Sequence, residues 1–197
     1  MKINKAWVKL FIIIAASNLM VSSALSEEVS LGSNQAPVTI IEYGSLTCGK
    51  CLSFHRHVYP KLKKQYIDTG TVRFIFRHFP TGEAAVYGAR AVNCTGDKYY
   101  EMLDKLFSTT DKWIRAENRE AIFVKYATSL ELNSEAFVTC IRNKKHLDNI
   151  LLQQNAARKH LDVIGTPTFF INEKIVRGKR SFLEMEALIS EAINKSN

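Results

Sequence analysis

The chain has 197 residues, 46% apolar and 23% charged, with only 4 Pro and 9 Gly. That balance excludes a largely disordered or collagen-like polypeptide, and the length fits one domain with room for an insertion. Lys and Arg outnumber Asp and Glu by 27 to 19, giving +8. The bases Arg56, Lys61, Lys63, Lys64 and Arg73 lack the aromatic interleaving of a nucleic-acid surface, so they read as a solvated helix face and no nucleic-acid partner is expected.

Residues 1–26 read as a secretory signal rather than as fold. Lys2, Lys5 and Lys9 supply a positive front, an apolar run extends from Leu10 to about Val21, and the small residues Ser22, Ser23 and Ala24 follow. Cleavage is expected near Ala24 or Ser26. The alternative is an uncleaved anchor, but a bilayer needs about 20 apolar residues, and this run is short and broken by Ser17 and Asn18. Removing the segment leaves +5, because it holds three lysines and no acids. Export would carry Cys48, Cys51, Cys94 and Cys140 to a compartment where disulfides form and persist.

A polar lead follows, and then residues 38–43 are β-branched and almost continuously apolar, the pattern of a strand buried on both faces. Residues 44–47 form a turn. A helix is expected over 48–66, kinked or broken at Pro60, and a second strand over 71–77. Together these make a β-α-β unit over 27–82, with parallel strands and a right-handed crossover. The spacing then turns helical throughout 83–161, with expected helices at 84–94, 99–107, 118–130, 133–141 and 146–160. Strand character returns at 168–171 and 175–176, joined by a turn at Asn172, Glu173 and Lys174 into an antiparallel hairpin. An amphipathic helix over 181–194 completes the last segment, 162–197.

Cys48-Gly49-Lys50-Cys51 follows the first strand and opens the first helix. Free N–H groups and the helix dipole favour an anion there, drawing the Cys48 pKa from about 8.5 toward roughly 3.5–7.5. Lys50 adds a nearby cation acting in the same direction, and Cys51, one turn further in, is placed to resolve. Two other readings compete. A zinc site wants four ligands, yet Cys94 and Cys140 lie far apart in sequence and His55 and His57 point in different directions, so no metal is expected. The other is an inert structural disulfide.

Residues 32–51, Phe54-His55-Arg56, the 71–79 strand and Gly165-Thr166-Pro167-Thr168-Phe169-Phe170-Ile171 together resemble the DsbA-like thiol:disulfide oxidoreductases. They occur in the same order and span essentially all of the chain beyond the signal. The resemblance implies an α/β thioredoxin fold with an inserted all-helical domain. It implies Cys48 as nucleophile, Cys51 as resolving cysteine, Pro167 as a cis-proline facing the disulfide, and Thr166 as the residue whose backbone pairs with a bound peptide. Gly49 and Lys50 stand where many such proteins carry Pro and His, which bears on oxidising strength. Thr before that proline is found in related disulfide isomerases, which add an N-terminal dimerisation domain. The roughly ten residues between Ser26 and Pro37 leave no room for one, so a monomer is expected.

Glu42 lies in a strand that otherwise reads as buried, where a carboxylate must be protonated or meet a cation. The resemblance implies a buried acid that moves protons to and from Cys51, while an exposed Glu at a strand edge is the plainer alternative. Cys94 and Cys140 are either small buried apolar residues or, in an exported chain, a structural disulfide such as some DsbA-like proteins carry. The expected function is disulfide donation to reduced, unfolded secreted proteins in the periplasm, needing no cofactor beyond the Cys48–Cys51 disulfide. By resemblance, a quinone-linked membrane protein reoxidises it. Reductase or isomerase activity, or a non-catalytic metal-binding or chaperone module, are the alternatives.

Overall fold

The computed structural model describes residues 28–196; the expected signal and its cleavage site lie outside the described residues. Five strands form one mixed sheet: β1 (Ser30–Leu31), β2 (Val38–Gly44), β3 (Val72–His78), β4 (Thr168–Ile171) and β5 (Lys174–Arg177), in the order β1-β3-β2-β4-β5. β2 is central because its β-branched run can be covered on both faces; Val38 and Ile40 are wholly buried. It pairs in parallel with β3 and antiparallel with β4, which puts Glu42 opposite Phe76 on one side and Phe169 on the other. β4 and β5 form the antiparallel hairpin.

The expected helix over 48–66 is three pieces: α1 (Gly49–His57), α2 (Tyr59–Leu62) and one π-helical turn (Lys63–Ile67). Pro60 explains the break, because it has no N–H to give to Arg56 and is tolerated only in the first turn of a new helix. Between β3 and β4 come α3 (Glu83–Asn93), a 3₁₀ turn (Gly96–Lys98), α4 (Tyr99–Ser108), α5 (Thr110–Trp113), α6 (Arg119–Ser129), α7 (Ser134–Arg142) and α8 (Lys144–His160). The side chains of Asn118, Asn133 and Asn143 accept from the N–H groups of Ala121, Ala136 and Lys145, setting the starts of α6, α7 and α8. The Asn143 cap starts α8 two residues ahead of the expected His146. α9 (Phe182–Ser196) closes the chain and packs on β2 and β4.

This β-α-β unit, helical block and β-β-α unit make the thioredoxin fold with a helical insertion. Two tyrosines at the start of α4 bind the insertion to the sheet. Tyr99 Oη donates to the Phe76 carbonyl at 3.0 Å, and Tyr100 Oη lies 3.0 Å from the Phe74 carbonyl and 3.2 Å from the Phe76 N–H. They occupy backbone groups of Phe74 and Phe76 on an edge that the two-residue β1 meets only at Phe74 and Ile75, so the sheet edge is covered there. Among the described residues no helix is long and apolar enough to cross a membrane.

Candidate active site

β2 ends at Gly44, where a Cβ would fall 2.4 Å from the Phe76 ring. Only glycine lets the chain turn so close beneath the sheet. The turn is pinned by hydroxyls, Ser45 Oγ lying 3.0 Å from Thr81 Oγ1 and 3.3 Å from Thr47 Oγ1. Cys48 N–H then donates to the Ser45 carbonyl at 3.1 Å, and Leu52 N–H donates back to the Cys48 carbonyl at 2.9 Å, so Cys48 is the N-cap of α1.

Cys48 is half-buried and Cys51 is 0% exposed; both are free thiols, hydrogen-bonded to each other. The Cys48 pKa is pushed down to about 5, first by the hydrogen bond from Cys51, then by Thr166 and by the backbone N–H groups of Cys51 and Lys50, all working against partial burial. Cys51 is raised in turn by its bond to Cys48, by burial and by the Glu42 charge. The proton therefore leaves Cys48 and stays on Cys51. At the start of α1 the backbone N–H groups of Cys51 and Lys50 help to lower the Cys48 pKa, and the Lys50 side chain is exposed.

Glu42 is 0% exposed, which overturns the edge reading. Its Oε2 lies 3.0 Å from Nε2 of His55, itself only 6% exposed. His55 stacks on Phe107 of α4 at 3.8 Å and meets Phe76 edge-on. His55, which the sequence offered as a metal ligand and as part of the Phe54-His55-Arg56 resemblance, is the hydrogen-bond partner of the buried Glu42 carboxyl. Its spacing was the available signal, because Cys51 and His55 are four residues apart and share one face of α1.

Across from the thiols, the Thr166–Pro167 bond is cis and Pro167 is buried. Cys48 Sγ lies 3.4 Å from the Thr166 carbonyl, which accepts from the thiol, while the Thr166 side chain lowers the Cys48 pKa by bonding the thiolate. Cys94 and Cys140 lie away from this site, at the end of α3 and within α7, and are joined by a disulfide. Cys140 Sγ is 3.5 Å from His146 Nε2. These three residues are the one close group of possible metal ligands among the described residues, and two of their donor atoms are bonded to each other.

The family model described as Thioredoxin matches residues 24–191. A Rickettsia typhi relative bearing the name of a protein-disulfide oxidoreductase is 26% identical over 75% of this chain and 55% of its own length. The chain thus spans about half the length of the rickettsial relatives it matches. Disulfide bond formation protein D of Bacillus subtilis is 24% identical over 83% of this chain and 76% of that one. Among solved structures, Wolbachia pipientis alpha-DsbA1 superposes with a TM-score of 0.80 at 31% identity, covering 87% of this chain and 94% of that one. BdbD from Bacillus subtilis shares the fold with a TM-score of 0.75.

Proposed function

The chain belongs to the thioredoxin family, in its DsbA-like branch, and on that premise we propose that it is an exported oxidoreductase that introduces disulfides into reduced, unfolded proteins. The observation that carries the reading is the split between its two thiols, Cys48 held down at about 5 and Cys51 held up. A dithiol whose outer member is a stable thiolate gives a disulfide that accepts electrons readily.

In the reaction, a substrate thiolate attacks Cys48 Sγ of the Cys48–Cys51 disulfide. The S–S bond breaks, its electron pair goes to Cys51, and Cys51 takes up a proton. Glu42 and His55 form the buried acid-base pair on that side of α1. The second substrate thiolate attacks its own sulfur in the mixed disulfide and Cys48 leaves as the thiolate. The substrate has lost two electrons and the protein holds them as a dithiol, with no bound cofactor involved. A quinone-linked membrane protein in the periplasm restores the disulfide.

The test uses the oxidised protein and a reduced, unfolded substrate with two cysteines, following free thiols with time. Disulfide formation should accelerate, Cys48→Ser should abolish it, and Cys51→Ser should accumulate mixed disulfides. Stoichiometric zinc binding by the pair without thiol exchange would replace this reading with metal binding.

A further inference from the structure

A groove of about 540 Å³ adjoins Cys48, between the first turn of α1 and the segment joining β5 to α9. Gly49, Lys50 and Ser53 form one wall, and Arg177, Lys179 and Arg180 stand on the other. Two hydrogen bonds hold these walls in place. Gly178 N–H donates to the Pro167 carbonyl at 2.8 Å, making the groove continuous with the cis-proline loop. Lys179 Nζ donates to Ser53 Oγ at 3.3 Å across the groove itself.

The charge of this groove is unbalanced. Arg177 is neutralised by Asp162. Lys50, Lys179 and Arg180 have no carboxylate within salt-bridge distance among the described residues. Among the described residues Arg180 donates only to the Lys179 carbonyl, at 3.0 Å. Glu184, whose carboxyl feels the Arg180 charge, spends its Oε2 on the N–H and hydroxyl of Ser181, both at 2.7 Å. Several bases elsewhere do meet an acid, such as Lys63 with Asp68, Arg77 with Glu28, Arg142 with Glu120 and Lys174 with Glu191. Lys50, Lys179 and Arg180, three cations from two segments, thus line one groove beside the first turn of α1 with no acid paired to them among the described residues.

We propose that this groove selects polypeptide substrates carrying acidic residues close to the reacting cysteine, with Lys50, Lys179 and Arg180 receiving the carboxylates. A strand advances about 3.3 Å per residue, so a peptide paired to the Thr166 backbone passes these side chains within a few residues of its cysteine. The inference rests on the oxidoreductase reading and adds the chemistry of what is oxidised. The cations are solvent-exposed or partly so, and selection acts through long-range charge as well as contact, so it weakens as salt screens it.

The test uses the oxidised full chain and three otherwise identical dithiol peptides, whose cysteines are flanked by two Glu, two Gln or two Lys. Exchange rates are measured at low salt and at 1 M salt. At low salt the Glu peptide should react about tenfold faster than the Lys peptide, with Gln between them, and the ratio should collapse toward one at high salt. The double variant Lys179→Glu, Arg180→Glu should reverse the order. Comparing variant with parent on the same peptide cancels each peptide's own thiol reactivity, and Lys50→Glu should weaken the preference in the same direction. Equal rates for the three peptides, or an order unmoved by the double variant, would overturn charge selection while leaving the oxidoreductase reading standing. Exchange with none of the peptides would overturn both.

Discussion

His55 Nε2 lies 3.0 Å from Glu42 Oε2, joining α1 to the central strand on the helix face that Cys51 shares. Both groups are buried, and the remaining Glu42 Oε1 and His55 Nδ1 have no hydrogen-bond partner among the described residues. Their stability therefore depends on each other. His55→Phe keeps the ring against Phe107 but leaves the Glu42 carboxyl without its hydrogen-bond partner in the core, and should cost about 1–3 kcal/mol in urea unfolding. Adding Glu42→Leu to that variant should restore most of the loss. A double variant no more stable than His55→Phe would mean that packing at residue 55, and not the pair, holds this region.

The split between Cys48 and Cys51 predicts how the reduction potential varies with pH. Each proton taken up with two electrons contributes about 30 mV per pH unit. Above about pH 5, Cys48 stays a thiolate on reduction and only Cys51 takes a proton, so the slope should be about 30 mV per unit. Below it both thiols are protonated and the slope should double. The sign for stability follows from a folded pKa lying below the ordinary thiol value of 9.0. The thiolate contribution to the reduced form is complete above pH 9 and is lost as the pH falls through about 5. A single slope near 59 mV from pH 4 to pH 8 would contradict the assignment.

Much of this site was legible in the chain because its parts are local. The Cys48–Cys51 spacing, the buried run before it and the turn signals around Gly44 are all written within about twenty residues. The same holds for the helix starts at Asn118 and Asn133, where a short polar side chain precedes an amphipathic run. What escaped depends on tertiary contact. The two-residue β1 is too short to show periodicity and exists because it pairs with Ile75 and Phe74. The partner of Glu42 comes from a different element, and the three groove cations become neighbours only when the β5–α9 segment folds beside α1.

Thr166 should tune Cys48 through its side chain. The hydroxyl bonds the thiolate and contributes to the lowered pKa, while the carbonyl accepts from the thiol in either variant. Thr166→Val removes the first and keeps the second. The Cys48 pKa, read as thiolate absorbance against pH, should rise above 5, and the disulfide should become a weaker oxidant. An unchanged midpoint would place the stabilisation wholly on Cys51 and the amides of α1.

The Cys94–Cys140 bridge closes a loop across 46 positions and ties α3 to α7 inside the helical block. In the chain-entropy model a loop of that length contributes on the order of 4 kcal/mol by restricting the unfolded chain. Both cysteines are half-buried, so replacing them with alanine removes little packing beyond the bond. For a domain of this size the paired Ala variant should melt about 8–16 °C lower under non-reducing conditions. The Cys48 and Cys51 contacts come from Thr166, Ser45 and Glu42 and none from these residues, so the thiol pKa of Cys48 should stay at about 5 in the variant. Reducing the parent chain should lower its melting point by a similar amount, once the effect of reducing Cys48–Cys51 is subtracted using a Cys48→Ala, Cys51→Ala background. A variant that melts with the parent would show that the bridge restricts a part of the chain already ordered by α3, α6 and α7 packing.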